Sequence, residues 1–463
     1  MRSPFHLSQF ALSALPGVGL VALFLLGLGL RLWGLGRFNT LVFDEVYYVR
    51  FAVDYLQQQP FFDAHPPLGK YLIAVGIALV NPLAERFDLA GNTLAGIWLS
   101  PWSYRWMTAL AGACLPPLSA ALAYFLGAGY PQRQRLIFGS LAGGLMLLEG
   151  LTLVESRYGL INLFWVGLGL AGQVCVLAAG SAQRPALRYA TAGVAFGGAI
   201  AVKWNGAGFL LGLYLLWGLG RWWSARPQKG SGQNPVPLAL RQLSLPQLLI
   251  YWGGVPLLTY CLLWLPHLHL TGTSLITVHR LLWQAHQSIG AATHPYCSAW
   301  YTWPLLLRPV AYFYRSVQIG PAESTVYSVQ GLGNPVLWWL STAAVVVLLG
   351  QILSQRRYRG QGRGPDPVAV FLLVNYGANW LPWAGVQRCT FLYHYLGSLV
   401  FSGVAIAYLL TGWLTHPRPD FRRLAWGLLL LIGAAFVFWL PVYLGLPLSP
   451  EALRWRWWLR LWI

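Results

Sequence analysis

Residues 43–71 read FDEVYYVRFAVDYLQQQPFFDAHPPLGKY, a stretch rich in ionisable groups within a chain that is otherwise mostly apolar. Its acids and its histidine are Asp44, Glu45, Asp54, Asp63 and His65. Two prolines directly after His65 restrict the backbone and stop any helix that arrives from the N-terminal side. An acidic pair that follows the first long apolar run is a candidate proton acceptor at the edge of a membrane.

The pair Asp44 and Glu45 also has a structural interpretation. Acids suit the N-terminus of a helix, and a helix is predicted to begin near Val46. The second polar cluster, at Asp63 and His65, favours a functional role because clustered titratable groups mark functional sites. Both interpretations stay open at the level of sequence.

The composition is that of a polytopic membrane protein. Of 463 residues, 57% are hydrophobic and 9% are charged, and the mean hydropathy is +0.53. A spanning helix needs about 20 mostly apolar residues. Eleven segments are candidates, near 15–36, 104–127, 134–150, 158–180, 186–202, 205–222, 247–266, 334–353, 367–383, 395–414 and 421–443. The predicted fold is therefore an all-α transmembrane bundle.

The distribution of charge predicts the orientation of the chain. Lys and Arg collect in cytoplasmic loops, which explains the net charge of +19 without any nucleic-acid partner. With the N-terminus in the cytoplasm, every predicted inner loop is basic. These loops contain Arg133, Arg135, Arg184, Arg188, Arg221, Arg226, Lys229, Arg241, Arg356, Arg357, Arg359, Arg363, Arg418, Arg422 and Arg423. The acids of residues 44–63 then lie on the outer side, so the predicted active site is extracytoplasmic.

The whole chain, 1–463, is predicted to form one transmembrane domain with two large outer loops, 38–103 and 267–333. A Gly/Pro-rich cytoplasmic linker is predicted at 223–246. Within the first loop, residues 68–83 are too short and too often interrupted by polar residues to cross, so a helix at the membrane interface is predicted.

Several function classes are disfavoured. Five cysteines are scattered without a CxxC pair, so neither a disulfide framework nor a zinc site is predicted. Neither GxxxxGK[ST] nor a GxGxxG that opens a soluble βαβ unit occurs, which argues against an ATP-driven pump. Charges near the ends of the spans, rather than at their midpoints, disfavour a transporter or flippase.

Cations and polar residues accompany the acids on the outer side. Arg31, Arg105, Lys203 and Arg388 are predicted near the membrane surface, with His394 beside them. Such cations can hold a lipid-linked phosphate while a carboxylate takes a proton from an incoming hydroxyl. Snorkelling to lipid headgroups is the alternative for Arg105 and Lys203.

Other polar and aromatic groups have mainly structural interpretations. The turn that holds Glu149, Glu155 and Arg157 is interpreted first as a structural ion pair. The aromatic residues of the second outer loop, such as Trp300, fit either an interfacial belt or a surface that stacks on sugars.

Six ordered motifs carry a resemblance to a known family. They are FDEVYYV, FFDAHPPLGK, AVKWNG, HPYCSAWYTWPLLLRP, GNPVLWW and FLYHYLGSL. Together they resemble the dolichyl- or polyprenyl-phosphate-mannose–protein mannosyltransferases, which have the GT-C fold. The resemblance implies transfer of mannose from a lipid phosphate to Ser or Thr hydroxyls of translocating proteins, with inversion at the anomeric carbon.

The resemblance also implies roles for particular residues. Asp44 and Glu45 match the acidic pair of the family, with Asp44 as the catalytic base. The implied contacts to the donor phosphate are Arg105, Lys203, His394, Gln387 and Arg31. Candidates for the acceptor or sugar site are Asp63, His65, Arg157, Trp300 and Arg388.

The second outer loop is too short for the β-trefoil (MIR) domain of eukaryotic members, so the chain resembles the short bacterial type. The implied donor is a polyprenyl-phosphate mannose and the implied location is the plasma (inner) membrane. Expected partners are a Ser/Thr-containing acceptor protein, membrane lipid and the secretion machinery. A lipid or glycan acceptor is the alternative. Whether a divalent cation, Mg²⁺ or Mn²⁺, is needed stays open, because two basic side chains could replace it at the phosphate.

Overall fold

The computed structural model describes residues 5–225, 234–288, 294–321, 323–355 and 365–462, without the side chains of residues 5–16, 288 and 355. Part of the predicted linker at 223–246 lies outside these residues. The same holds for six of the basic loop residues, namely Arg226, Lys229, Arg356, Arg357, Arg359 and Arg363.

Helices dominate the described chain. The first nine are α1 (Phe5–Leu32), α2 (Glu45–Leu56), α3 (Leu68–Arg86), α4 (Pro101–Leu126), α5 (Gln132–Leu147), α6 (Gly150–Glu155), α7 (Asn162–Ala179), α8 (Pro185–Val202) and α9 (Ala207–Ser224). The others are α10 (Leu238–Arg241), α11 (Leu245–Leu248), α12 (Val255–Thr271), α13 (Leu275–Ser288), α14 (Pro335–Gln355), α15 (Pro367–Trp380), α16 (Leu396–Leu414), α17 (Pro419–Leu444) and α18 (Pro450–Arg454). A π-helical segment, Leu249–Gly254, joins α11 to α12. All eleven segments predicted to span the membrane are helical.

Within the described residues, seven helices are long and apolar enough to cross a membrane. They are Leu68–Arg86, Pro101–Leu126, Asn162–Ala179, Leu245–Thr271, Pro335–Ser354, Leu392–Leu414 and Pro419–Leu444. The chain is thus a multi-pass membrane protein, but the predicted count of eleven spans is not confirmed by length and composition. Two of the predicted spans, α5 and α15, have only 16 and 14 residues.

Helix α3 has 19 residues and is one of these seven helices, so the prediction that residues 68–83 are too short to cross is wrong on length and composition. Gly69 packs against Val202 at the end of α8. Trp106, near the start of α4, donates its ring N–H to the carbonyl of Gly76 (3.1 Å). These contacts join α3 to α4 and α8, and the interfacial position of residues 68–83 stays a prediction.

The transmembrane core is built from close helix pairs. Helix α4 packs against α1, α3, α5 and α7, while α7 packs along α8. On the other side, α16 packs against α14 and α15. Glycines allow some of these approaches, since Gly169 lies against the ring of Phe209 and Gly172 against that of Phe196.

Within the described residues, five strands accompany the helices, and the all-α prediction did not include them. β1 (Asn92–Leu94) and β2 (Ile97–Leu99) form a hairpin in the first outer loop. β3 (Val310–Gln318), β4 (Ser324–Gly331) and β5 (Pro447–Leu448) form an antiparallel sheet in that order. The sheet brings Tyr312 against the first loop, where its ring stacks on Phe43 with centroids 4.2 Å apart.

Cys297 and Cys389 form a disulfide, which corrects the expectation of none. Their Cα atoms lie 5.3 Å apart, although 92 residues separate them in the chain. No spacing pattern marks such a pair, so only the fold reveals it. The disulfide joins the second outer loop to the segment that precedes α16.

Candidate active site

The carboxylate of Asp44 accepts no hydrogen bond from the part of the chain that the structure describes. Phe43 before it has a positive φ of 54°, a strained conformation for a residue with a side chain. Asp44 occupies the N-cap position of α2, but its side chain makes no capping hydrogen bond. Within the described chain no donor bonds this half-buried carboxylate. The capping interpretation of Asp44 is therefore wrong, and its oxygens are available to a substrate.

Glu45, the neighbouring acid, accepts hydrogen bonds from the protein at both carboxylate oxygens. Its Oε1 accepts from the backbone N–H of Gly159 (2.6 Å) and from Arg105 Nε (2.8 Å). Its Oε2 accepts from the backbone N–H of Val42 (2.7 Å) and from Arg105 Nη2 (2.8 Å). The predicted catalytic role of Glu45 is corrected to a structural one, because both oxygens are saturated and the residue is 0% exposed.

The predicted contact of Arg105 with the donor phosphate is also corrected to a structural role. Besides the two bonds to Glu45, its Nη1 donates to the carbonyls of Leu35 (3.0 Å) and Phe38 (2.9 Å), and its Nη2 donates to that of Thr40 (2.9 Å). These contacts use all five N–H donors of the guanidinium. Arg105 therefore clamps the segment after α1 onto α4 and has no donor left for a phosphate.

Two further predicted cations lie away from the site. Arg157 donates to carbonyls that end α1 or follow it, including those of Arg31 (2.9 Å), Trp33 (2.7 Å) and Gly34 (3.1 Å). It thus satisfies carbonyls that a helix end leaves unpaired. Arg31 is 0% exposed and donates to the Gly27 carbonyl (3.1 Å) within its own helix. Neither side chain is among the residues that line the cavity around Lys203 and Arg388, and this corrects their predicted roles.

A cavity of about 640 Å³ lies where the second outer loop, the α8–α9 junction and the segment before α16 meet. It is lined by His65, Pro66, Lys203, Trp204, Asn205, Trp283, His286, Gln287, Trp383, Gly385, Val386, Gln387 and Arg388. The structure thus brings together four residues that the sequence proposed separately, namely His65, Lys203, Gln387 and Arg388. The lining is rich in aromatic rings and cations, as a sugar phosphate would need.

Lys203 sits where α8 breaks before a short 3₁₀ turn, in an extended conformation with φ −157° and ψ 138°. Its Nζ donates to Asn162 Oδ1 (3.2 Å) and lies 5.4 Å from the centroid of the Tyr393 ring. Burial lowers the pKa of Lys203 to about 8; the positive charge of Arg388 adds to this shift and Asp44 opposes it. At neutral pH the ammonium is still mostly charged, with N–H groups to spare.

The charges of Asp44 and Lys203 act on each other. Asp44 does not line the cavity, but the Tyr393 ring that faces Lys203 also lies 6.1 Å from the ring of Phe43, beside Asp44. Burial raises the pKa of Asp44 to about 6, and the positive charge of Lys203 opposes the rise. Asp44 is therefore a stronger base than an ordinary aspartate, yet it is mostly ionised at pH 7.

Residues 63–70 form a closed loop at the cavity wall. Lys70 Nζ donates to Asp63 and to the carbonyls of His65 (2.7 Å) and Pro66 (3.1 Å). Asp63 is thereby paired, while the ring of His65 faces the cavity, 5.9 Å from that of His286. Burial holds the pKa of His65 well below its usual value, and Lys203 lowers it further, so the ring is neutral at pH 7. Within the described residues no group of three His, Cys, Asp or Glu could hold a metal ion.

His394 lies behind the aromatic wall of the cavity. Its Nδ1 is 3.0 Å from both the backbone N and the carbonyl O of Phe391, so the backbone orients the ring and leaves Nε2 for another partner. The rings of Trp383 and Trp303 lie 4.5 and 6.0 Å away. Trp300, which the sequence suggested, instead packs on Trp380 outside the cavity lining, and this corrects its predicted place.

Sequence reasoning missed Glu155 as part of the site. It is 0% exposed and accepts hydrogen bonds from Tyr312 and from Asn162, whose amide also contacts Lys203. Burial raises its pKa to about 7, while the bonds from Tyr312 and Asn162 and the charge of Lys203 oppose the rise. The available signal was an acid within an otherwise apolar turn, since such acids are costly unless they have a function.

Comparisons with known proteins show the family of this chain. A family model described as dolichyl-phosphate-mannose-protein mannosyltransferase matches residues 21–272, and one described as the C-terminal four TMM region of protein-O-mannosyltransferase matches residues 271–462. A polyprenol-phosphate-mannose–protein mannosyltransferase of Mycobacterium tuberculosis is 26% identical over 497 residues, which cover 94% of this chain and 88% of the relative.

Solved structures share the fold. The S. cerevisiae protein O-mannosyltransferase Pmt1-Pmt2 complex bound to the sugar donor superposes with a TM-score of 0.77 at 16% identity, over 98% of this chain and 94% of that chain. ArnT from Cupriavidus metallidurans bound to undecaprenyl phosphate gives a TM-score of 0.54 at 12% identity, over 93% of this chain and 65% of that chain. With the GT-C fold and a family match over more than half of its length, the chain belongs to the dolichyl-phosphate-mannose-protein mannosyltransferase family.

Proposed function

We propose that this protein transfers mannose from a polyprenyl-phosphate mannose to Ser or Thr hydroxyls of proteins, with inversion at the anomeric carbon. The membership of the family and the names of its relatives support the reaction class. The observation that carries the proposal is a carboxylate without a hydrogen bond in the described chain, Asp44, which is electrostatically coupled to the buried ammonium of Lys203 in the cavity lining.

In the proposed reaction Asp44 takes the proton of the acceptor hydroxyl. The hydroxyl oxygen then bonds to the anomeric carbon from the face opposite the leaving group, and the bond from that carbon to the phosphate oxygen breaks. The electron pair of that bond stays on the lipid phosphate. Because negative charge grows there, nearby cations lower the barrier. A single displacement of this kind inverts the anomeric centre.

The proposed phosphate contacts differ from the set that the sequence suggested. Lys203 and Arg388 supply positive charge at the cavity, with Gln387 as a neutral donor. His394 lies behind the wall, and its Nε2, which has no hydrogen bond within the described residues, would reach the phosphate only if the donor extends past the lining. Arg105 and Arg31 are left out because they are buried elsewhere. His65 and the aromatic side chains Trp204 and Trp283 are placed to contact the mannose, since sugars stack on aromatic faces.

We place the cavity on the outer side of the plasma membrane, with the N-terminus in the cytoplasm. The basic inner loops support this orientation. The Cys297–Cys389 disulfide supports it independently, because disulfides persist in oxidising compartments. The free cysteines, Cys114, Cys175 and Cys261, lie within helices instead. An acceptor that reaches this side must be exported, which would bring the enzyme close to the secretion machinery.

The decisive experiment incubates purified protein with radiolabelled polyprenyl-phosphate mannose and a panel of Ser/Thr peptides, hexoses and lipids. The proposal expects label on the peptides and an inverted linkage. Label on lipid or glycan alone would keep the GT-C chemistry and overturn the protein acceptor. Absence of transfer to any acceptor would overturn the proposal as a whole. Repeating the assay with EDTA and then with Mg²⁺ or Mn²⁺ decides whether a divalent cation is required.

A further inference from the structure

Two carboxylates flank the short helix α6, and both are buried. Glu149 at its N-cap accepts from the backbone N–H groups of Leu151 (3.0 Å) and Thr152 (2.6 Å), so it serves the helix itself. Glu155 ends α6 and is 0% exposed, but its carboxylate accepts only from side chains of other elements, Tyr312 on β3 and Asn162 on α7. Glu155 therefore needs an explanation beyond helix capping.

Asn162 connects Glu155 to the cavity. Its Nδ2 donates to Glu155 Oε2 (3.1 Å), and its Oδ1 accepts from Lys203 Nζ (3.2 Å). The amide can face only one way, because its NH₂ group must meet the carboxylate and its oxygen must meet the ammonium. The result is a continuous chain of hydrogen bonds from Tyr312 through Glu155 and Asn162 to Lys203.

The buried ammonium of Lys203 is stabilised by negative charge nearby. It is 4% exposed and has one hydrogen bond within the described residues, and a buried cation is costly without an anion nearby. Three carboxylates act on it electrostatically, namely Asp44, Glu155 and Asp63. Asp63 is paired with Lys70, and Asp44 loses its charge during the proposed reaction when it accepts a proton. Of the three carboxylates, Glu155 is the one that neither pairs with Lys70 nor accepts a proton in the proposed reaction.

We propose that Glu155 is a positioning residue for the lipid-phosphate donor: through Asn162 it holds the Lys203 ammonium at the cavity, with two N–H groups directed to the phosphate. This inference rests on the proposed function. It assigns Glu155 no contact with the substrate, and so the predicted defect lies in donor binding rather than in proton transfer.

The test compares Glu155→Gln with Glu149→Gln, a matched change at the other buried acid of α6. Glu155→Gln should raise the donor KM about tenfold, roughly the effect of losing one charge-assisted hydrogen bond, with little change in kcat. Binding of polyprenyl phosphate alone, measured by calorimetry, should weaken by the same factor. Glu149→Gln should lower the melting temperature and leave the donor KM unchanged.

A double variant that moves the negative charge distinguishes a positioning role of Glu155 from a general loss of structure. In the double variant Glu155→Gln/Asn162→Asp, the carboxylate moves one step along the chain and contacts Lys203 directly, so the donor KM should return to within about threefold of wild type. If Glu155→Gln does not accumulate, Asn162→Ala breaks the same connection and should show the same rise in donor KM.

The outcomes distinguish this inference from the proposed function. A wild-type protein that transfers no mannose overturns the proposed function. An active wild type with unchanged donor KM and unchanged polyprenyl-phosphate binding in Glu155→Gln, or in its substitute Asn162→Ala, overturns the inference alone. Failure of the double variant to recover donor binding would also overturn it, because the negative charge would then not be what holds Lys203.

Discussion

Arg105 and Glu45 form a buried bidentate ion pair, in which Nε lies 2.8 Å from Oε1 and Nη2 lies 2.8 Å from Oε2. The pair removes both residues from the list of catalytic candidates. It also holds the turn that precedes α2, because Arg105 bonds the carbonyls of residues 35, 38 and 40. The neighbouring carboxylate of Asp44 follows a segment held by these bonds and has no hydrogen-bond donor among the described residues.

The first prediction concerns Asp44 as the base. Asp44→Asn keeps the shape of the side chain but removes its basicity, so we expect mannose transfer to fall by about 10²–10⁴-fold while donor binding stays near wild type. Single-turnover assays and polyprenyl-phosphate binding measure the two effects. Asp54→Asn, on the same helix α2, is the control and should transfer normally. Transfer by Asp44→Asn at the wild-type rate would exclude Asp44 as the base.

The second prediction concerns pH. A base works in its ionised form, and burial raises the pKa of Asp44 to about 6. The rate should therefore fall about tenfold per pH unit below that value, and kcat/KM should fall again above about pH 8, where Lys203 loses the charge that binds the phosphate. The negative phosphate of a bound donor disfavours a second negative charge nearby, so the midpoint of kcat should lie above that of kcat/KM. A rate that stays flat down to pH 4.5 would contradict this assignment.

The third prediction concerns stability. Breaking a buried ion pair costs about 3–5 kcal/mol, because the remaining charge is left without its partner. Glu45→Gln and Arg105→Gln should each lower the melting temperature of the purified protein, and the double variant should lower it by less than the sum. If Arg105→Gln left the melting temperature unchanged and raised the donor KM, Arg105 would have to be a contact of the donor phosphate.

The fourth prediction concerns Lys203. Lys203→Gln removes a charge-assisted bond to the donor phosphate worth about 1.5–3 kcal/mol, so the donor KM should rise about tenfold to a hundredfold. Arg86→Gln, an exposed cation at the end of α3, is the matched control and should have no effect. An unaltered donor KM in Lys203→Gln would refute its assignment to the phosphate.

The fifth prediction concerns the disulfide. Cys297→Ser/Cys389→Ser should lower stability by about 2–4 kcal/mol. It should also raise the donor KM, because Arg388 and Gln387 lie directly before Cys389 and line the cavity. Cys261→Ser, a free cysteine within α12, is the control. Equal melting temperatures with and without a reducing agent would argue against a role for the disulfide.

The sequence by itself determined that the chain is a multi-pass membrane protein, since apolar runs of this length are stable only in lipid, but it did not determine the number of spans. It also located residues 43–71 as the polar centre of an apolar chain. His65, Lys203, Gln387 and Arg388 could be nominated because polar groups near the ends of spans are costly unless they have a function.

Only the tertiary structure decided what each polar group does. Asp44 and Glu45 are adjacent and chemically alike, so no local signal separates them. Arg105 on α4 and Gly159 between α6 and α7 both bond Glu45, and neither bonds Asp44. The pairing of Cys297 with Cys389 and the bonds of Glu155 likewise join segments far apart in the chain. Hydrogen bonds and ion pairs act over a few ångströms, and that proximity is a property of the packed helices, not of the order of residues.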